Sequence, residues 1–356
     1  VGVPAIIGPA FSGVTIKTAQ AHAIPAGVMI VSPTATSPTI TGLADENLVW
    51  RTISSDALQA VPLADLVSQL EVRIRADLAL DPADAVRLAM TVKQDAYGLG
   101  LADAVTPLIM LNGQPLTGDN AMNVLRAEYA DPEEDPNVDY APVVADVVAF
   151  APHIVMSLGT SEVVTRILTG VEQDWPMMAP PAYYLFPDGG ASVTDLDAAI
   201  GTDDALRLRI LGTAPGRRGE KFAPFESRYV ARFGGSPEIF AENGYDAAWV
   251  VAYAAAAAAE TTGKAMAAGI ARLLQGTAVA VGPDLAGMGF GELAAGNAID
   301  LDGISSTLGF DEAGDLEMDI DIWCLGRGTS SELVLNSSGQ YYDAAAGALQ
   351  GAIDCQ

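Results

Sequence analysis

Short β-branched or aliphatic runs alternate with Ala-rich amphipathic runs along most of the chain, the mark of βα units around parallel sheets. The pattern predicts strands at Val3 to Ile7, Val28 to Val31, Ala85 to Val92, Ile154 to Leu158, Ala182 to Phe186 and Arg209 to Thr213. It predicts helices at Ser12 to Ala23, Ala57 to Leu70, Tyr97 to Leu111, Val143 to Phe150 and Glu162 to Val171, and again at Phe222 to Phe233, Tyr245 to Ala258 and Ala265 to Leu274. After Gly303 the character changes to extended segments at Thr307 to Phe310, Leu316 to Leu325 and Glu332 to Leu335, with turns at Glu312-Ala313-Gly314 and Ser338-Gly339. Asp131 to Asn137 and Pro283 to Gly296, rich in Pro, Gly and acid, read as the clearest loops. No internal repeat of fixed period is present. The class is α/β.

Length adds a division, because 356 residues exceed what one hydrophobic core usually serves, and two lobes are expected. Half the residues are hydrophobic and 18% are charged, a balance that argues against disorder. The longest apolar tract, Trp249 to Ala259, is too short to span a bilayer. A formal charge of −27 repels phosphate backbones and anionic headgroups, which excludes nucleic acid and membrane surfaces as natural partners. The lysines are Lys17, Lys93, Lys221 and Lys264, and so acidic a surface suits a saline or extracellular setting as well as a lineage bias. Cys324 and Cys355 leave two readings open: a disulfide that ties down the C-terminal tail in an oxidising compartment, or two thiols in a reducing one. Val1-Gly2-Val3-Pro4 lacks the basic region of a signal peptide, and the first residues already read as a buried strand, so an upstream portion is expected.

The chemistry concentrates at two neighbouring strand ends. "GPAFSG", Gly8 to Gly13, lies between a strand and a helix, where Ser12 can cap the helix and the unpaired amides of the first turn favour an anion. "VSPTATSPTIT", residues 31 to 41, puts six hydroxyls and two prolines on the same edge one βα unit later. In parallel α/β sheets ligands bind beyond the carboxyl ends of the strands. The bland alternatives are a serine that caps only its own helix and an ordinary Ser/Thr turn.

Signals for catalysis are weak. His22 falls inside a helix and His153 precedes a strand, neither beside a nucleophile, and both read as structural. Gly287-Met288-Gly289-Phe290-Gly291 is not set between a strand and a helix and fails as a nucleotide loop. No Cys and His spacing suits a metal, and no cofactor is expected. "DLEMDIDIW" reads as a strand with one solvated acidic face.

These residues resemble the type I periplasmic binding proteins, specifically the leucine/isoleucine/valine-binding group of extracellular ligand-binding receptors. The resemblance runs through "AIIGPAFSGVT", "VMIVSPTATSPTIT", "VWRTISSDALQA", "VKQDAYGLGLADAV", "YYLFPDGG", "GYDAAWVVAYA" and "LGFDEAGD", in the family's order. It implies two Rossmann-like lobes with parallel central sheets, hinge-connected around a cleft, the first lobe incomplete at its N-terminus because the family's opening strand, helix and second strand would precede Val1. By the family's pattern, lobe 1 comprises residues 1–55 and 216–305 and lobe 2 residues 56–215 and 306–356, with hinges near Ser54-Ser55, Ala214-Pro215 and Ser305 to Phe310.

The resemblance also assigns ligand-binding roles. Ser12 and Thr36 fall where hydroxyls meet a ligand carboxylate, and Thr34 where a backbone carbonyl accepts from its ammonium. Tyr97 matches the tyrosine that closes on the ligand from the second lobe. Asp188 stands where a glutamate commonly meets the ammonium, and Thr160 where a tyrosine often touches ligand. The implied function is a non-enzymatic receptor, periplasmic or extracellular, that captures an amino acid or similar small zwitterion for an ABC permease. Membrane contact would come only through an upstream lipid anchor. The alternative is a ligand-sensing domain of a signalling or regulatory system with the same fold.

Overall fold

The computed structural model describes residues 2–216, 219–329 and 331–355. Its strands are β1 Ala5–Ile7, β2 Met29–Ser32, β3 Val49–Arg51, β4 Leu88–Lys93, β5 Met110–Leu111, β6 Gln114–Pro115, β7 Val124–Tyr129 and β8 Ile154–Leu158. There follow β9 Tyr183–Phe186, β10 Ile210–Pro215, β11 Thr277–Ala280, β12 Ile299–Asp302, β13 Ile320–Arg327, β14 Leu333–Asp343 and β15 Ala348–Gln350. The chain forms two compact units, Val1–Ser55 with Gly216–Met318, and Asp56–Pro215 with Asp319–Gln356. The third crossing falls after Met318 and not at Ser305 to Phe310, and packing explains why. Leu308, Phe310, Leu316 and Met318 are buried in the core of the first unit. Asp246 also pins the 304–305 turn there, accepting from the amides of Ile304 and Ser305 at 2.9 and 2.8 Å.

The first unit carries a parallel sheet β1-β2-β3 and a separate parallel pair β11-β12. Alternation along β2 shows why its apolar run is a strand: Met29 and Val31 enter one core with Trp50, Val250 and Tyr253, while Ile30 enters another with Ala19, Ala23 and Val49. Helical structure after β1 runs Ser12–Thr18, widens to a π turn over Ala19–Ala23 and finishes at Ile24–Ala26, just past the expected end.

One expectation fails here outright, because Pro283–Ala294 is a helix and not a loop. Pro283 opens it, since a helix's first residue has no use for an amide donor. Gly289 lies against the Tyr253 ring, where a Cβ would sit 2.8 Å from the ring edge. Of the glycines that suggested a loop, Gly289 thus serves helix packing, while a Cβ at Gly287 or Gly291 would meet open space.

The second unit holds an eight-stranded sheet in the order β15-β14-β13-β10-β9-β8-β4-β7. The strands β10, β9, β8, β4 and β7 run parallel, while β13, β14 and β15 extend the sheet antiparallel. Leu88, Met90, Val92, Ile154, Met156 and Leu158 line one face, under Leu63, Leu66, Val67 and Leu70 of the Asp56–Asp77 helix and Leu101 and Val105 of the Ala96–Val105 helix. The latter helix ends well before the expected Leu111, at Thr106-Pro107. A hairpin β5-β6 follows, turned at Asn112-Gly113. Cys324 and Cys355 form a disulfide that ties the tail to β13, with the Cα atoms 6.0 Å apart.

Candidate functional site

In the first unit Ser12 opens the helix just past the loop that leaves the carboxyl end of β1, and Thr34 and Thr36 lie on the adjacent loop that leaves β2. Ser12 does not cap its own helix. Phe11 holds the cap position, and the Ser12 hydroxyl accepts from the Ser37 amide at 3.1 Å. Other hydroxyls lace the same two loops: Ser32 donates to the Pro9 carbonyl at 2.6 Å, Thr15 to the same oxygen at 3.1 Å, and Thr34 to Ala10 at 2.7 Å. Much of the hydroxyl cluster is thus structural, which spends the Thr34 side chain and leaves its backbone. Thr36 is fully buried in this loop.

What fixes the loop is Arg51, the last residue of β3. Its fully buried guanidinium donates to the Ala35 and Ser37 carbonyls at 3.2 and 2.9 Å, to Thr41 Oγ1 at 2.7 Å, and to both carboxylate oxygens of Asp315 at 2.5 and 2.7 Å. Asp315 is therefore a buried ion-pair partner, and the expected solvated acidic strand begins only at Ile320. Sequence reasoning passed over Arg51; the signal was a lone basic residue inside the apolar run "LVWRTI".

In the second unit Tyr97, Thr160 and Asp188 follow the carboxyl ends of β4, β8 and β9. Tyr97 and Asp188 meet directly: the phenol donates to Asp188 Oδ1 at 2.8 Å and accepts from the Gly189 amide at 3.1 Å. At Gly189 a Cβ would fall 2.2 Å from the Gly159 carbonyl oxygen and 3.0 Å from the Tyr97 hydroxyl, so only glycine permits this approach. Burial pushes the Asp188 carboxyl up to about 6, while hydrogen bonds from Tyr97, Gln59 and the local backbone amides pull the other way. Burial likewise pushes the Tyr97 phenol well above its usual range, with the charges of Asp188 and Asp56 adding to the effect. Among the described residues no Lys or Arg forms an ion pair with Asp188.

Thr160 is not joined to that pair by a hydrogen bond. Its amide and hydroxyl donate to Glu162 at 2.8 and 2.6 Å, and Tyr129 donates to the same carboxylate at 2.8 Å. Nearby, the buried Lys93 ammonium lies 3.1, 3.7 and 3.3 Å from Asp95, Asp131 and Glu133. Burial opposes its charge, but the Asp95, Glu162 and Glu133 carboxylates outweigh burial and raise its pKa. Asp95, Asp131 and Glu133 lie close enough together to hold a metal ion, and the ammonium answers their charge. Asp95 also caps the Ala96–Val105 helix by accepting from Gly98 at 2.7 Å, which sets Tyr97 in the first turn. His153 accepts from the Arg87 amide at 3.0 Å, in keeping with a structural role.

No protein-family model and no curated protein matches the sequence. Solved structures do. A leucine-binding protein from Thermotoga maritima superposes with a TM-score of 0.65 at 18% identity, over 94% of this chain and 79% of that one. The chain has the type I periplasmic binding protein fold. A branched-chain amino acid transporter substrate-binding protein from Streptococcus pneumoniae, in complex with isoleucine, shares this binding-protein fold with a TM-score of 0.65 at 17% identity, over 94% and 80% of the two chains. A solute-binding protein of an ABC transporter from Rhodopseudomonas palustris, in complex with 3,4-dihydroxybenzoic acid, gives 0.64 at 15% identity, over 96% and 79%. Among the described residues no helix is long and apolar enough to cross a membrane.

Proposed function

We propose that the protein is a solute receptor that captures an amino acid or similar small zwitterion and passes it to an ABC permease, acting by binding and not by catalysis. The observation that carries this reading is the Tyr97–Asp188 pair, a buried carboxyl at the ends of parallel strands that has a hydrogen-bonding phenol and no basic partner among the described residues. A buried carboxylate calls for a cation, and a ligand ammonium supplies one.

The hydroxyls of Ser12 and Thr36 would take the ligand carboxylate, and the Thr34 carbonyl would accept from the ammonium. Thr160, its hydroxyl already given to Glu162, would contribute shape. The structural relatives support the general role, since those named above are a leucine-binding protein and two solute- or substrate-binding proteins of transporters. The Cys324–Cys355 bridge supports a periplasmic or extracellular setting, where disulfides persist.

Isothermal titration calorimetry across the twenty amino acids, with benzoate and 3,4-dihydroxybenzoate alongside, tests the proposal. At least one amino acid is expected to bind, and the paired substitution Thr36→Ala with Asp188→Ala is expected to abolish its heat. Binding of aromatic acids alone, or of nothing, would overturn the reading.

A further inference from the structure

Resting on the receptor reading for what the phenol then meets, we infer that Lys93 is a positioning residue of the site: its ammonium holds the Asp95 carboxylate on the amino end of the Ala96–Val105 helix and so fixes where Tyr97 stands. Lys93 ends β4 with its side chain wholly buried. Its Nζ lies 3.1 Å from Asp95 Oδ2. Asp95 turns its other oxygen, Oδ1, to the Gly98 amide at 2.7 Å, so one carboxylate spans the ammonium and the first turn of the helix. Tyr97 belongs to that turn and donates from it to Asp188 Oδ1 at 2.8 Å.

The helix start has little slack. The Asp95 amide donates to the Lys93 carbonyl at 2.9 Å, and a Cβ at Gly98 would fall 2.3 Å from that same oxygen and 2.9 Å from the Leu158 carbonyl oxygen, so the first turn presses on the ends of β4 and β8. Asp95 is itself buried, and Asp131 and Glu133 reach the same ammonium at 3.7 and 3.3 Å from the turn after β7. Burial raises the Asp95 carboxyl above its usual range, while the Lys93 charge and the Gly98 amide pull it back. Without the ammonium, three carboxylates would crowd together with no cation between them, and Asp95 would turn toward water and release the Gly98 amide. A neutral Asn needs no such cation, because its side-chain oxygen serves as well as a carboxylate at a helix start. A lysine that served only the 131–133 turn would gain nothing from that exchange.

The test compares the wild type, Lys93→Met, and Lys93→Met combined with Asp95→Asn by NMR on isotope-labelled tyrosine rings, without ligand, the Tyr97 signal being the one that Tyr97→Phe removes. That signal is expected to move in Lys93→Met and to return to its wild-type position in the double variant. A signal that stays in place in Lys93→Met, or is displaced alike in both, overturns the inference. Calorimetry should follow the same order: each amino acid that gives heat with the wild type should bind Lys93→Met about fivefold to tenfold more weakly, the worth of one helix cap, and regain most of that loss in the double variant. Equal weakening in both overturns the inference and leaves the receptor reading standing. If the wild type binds no amino acid, the receptor reading falls, and the Tyr97 signal still decides the role of Lys93. Should Lys93→Met fail to fold, Asp95→Ala takes its place, since it removes the cap and keeps the ammonium beside Asp131 and Glu133. The Tyr97 signal should move there and hold its wild-type position in the double variant; a signal unmoved by Asp95→Ala overturns the link from cap to phenol.

Discussion

Asp188 ionises near 3.8 in an unfolded chain and at about 6 in the folded one, because burial disfavours its charge. Between those pH values the folded state binds more protons, so stability falls as pH rises through the window and stays lower above it. Asp246 acts in the same direction and also sits at about 6, through burial. Asp188→Asn should therefore raise the unfolding free energy of the ligand-free protein at pH 7.5 by about 1–3 kcal/mol, measured by urea denaturation, and flatten its slope between pH 4 and 6. An unchanged value at pH 7.5 would show that the acid carries no such strain. An ammonium ligand favours the ionised carboxyl, so amino acid affinity should climb from pH 4.5 to 6.5 and then level. Asp188 and Tyr97 were singled out through the resemblance to the periplasmic binding proteins, not from local pattern. Gln59 was missed, since a polar residue near the start of a helix looks the same in sequence whether it faces water or a buried oxygen.

At the scale of elements, the strand ends and their following loops were legible wherever apolar runs were unbroken, as at β2, β8 and β9. Two kinds of element were hidden. β7, "VLRAEY", alternates buried and exposed residues with Arg126 and Glu128 outward, so its charges masked its pairing with β4. The Pro283–Ala294 helix was hidden by Pro and Gly that punctuate loops elsewhere. The loop that carries Thr34 and Thr36 depends on Arg51, whose role is tertiary and left little trace in local pattern. Arg51→Met should lower the unfolding free energy by about 3–5 kcal/mol, since it strands the buried Asp315 carboxylate. It should also weaken ligand binding through disorder of the 35–41 loop. Unaltered chemical denaturation would mean that the ion pair is dispensable.

For the whole molecule, the two-unit division and the α/β class followed from length and alternation. The third crossing did not, because Asp246 and the Leu308 to Met318 side chains hold that segment by contacts distant in sequence. The Cys324–Cys355 bridge closes a loop with a sequence separation of 31. Replacing both cysteines with serine should cost about 3–4 kcal/mol on a chain-entropy account, and a reductant should lower the thermal midpoint of the wild type but not of the double variant. Equal midpoints with and without reductant would argue that the bridge adds nothing. The burial of Lys93 has one more consequence, for handling the protein. It leaves Lys17, Lys221 and Lys264 as the side-chain amines within reach of acylating dyes or sensor-chip esters, so labelling through amines will be sparse and confined to a few points of a strongly anionic surface.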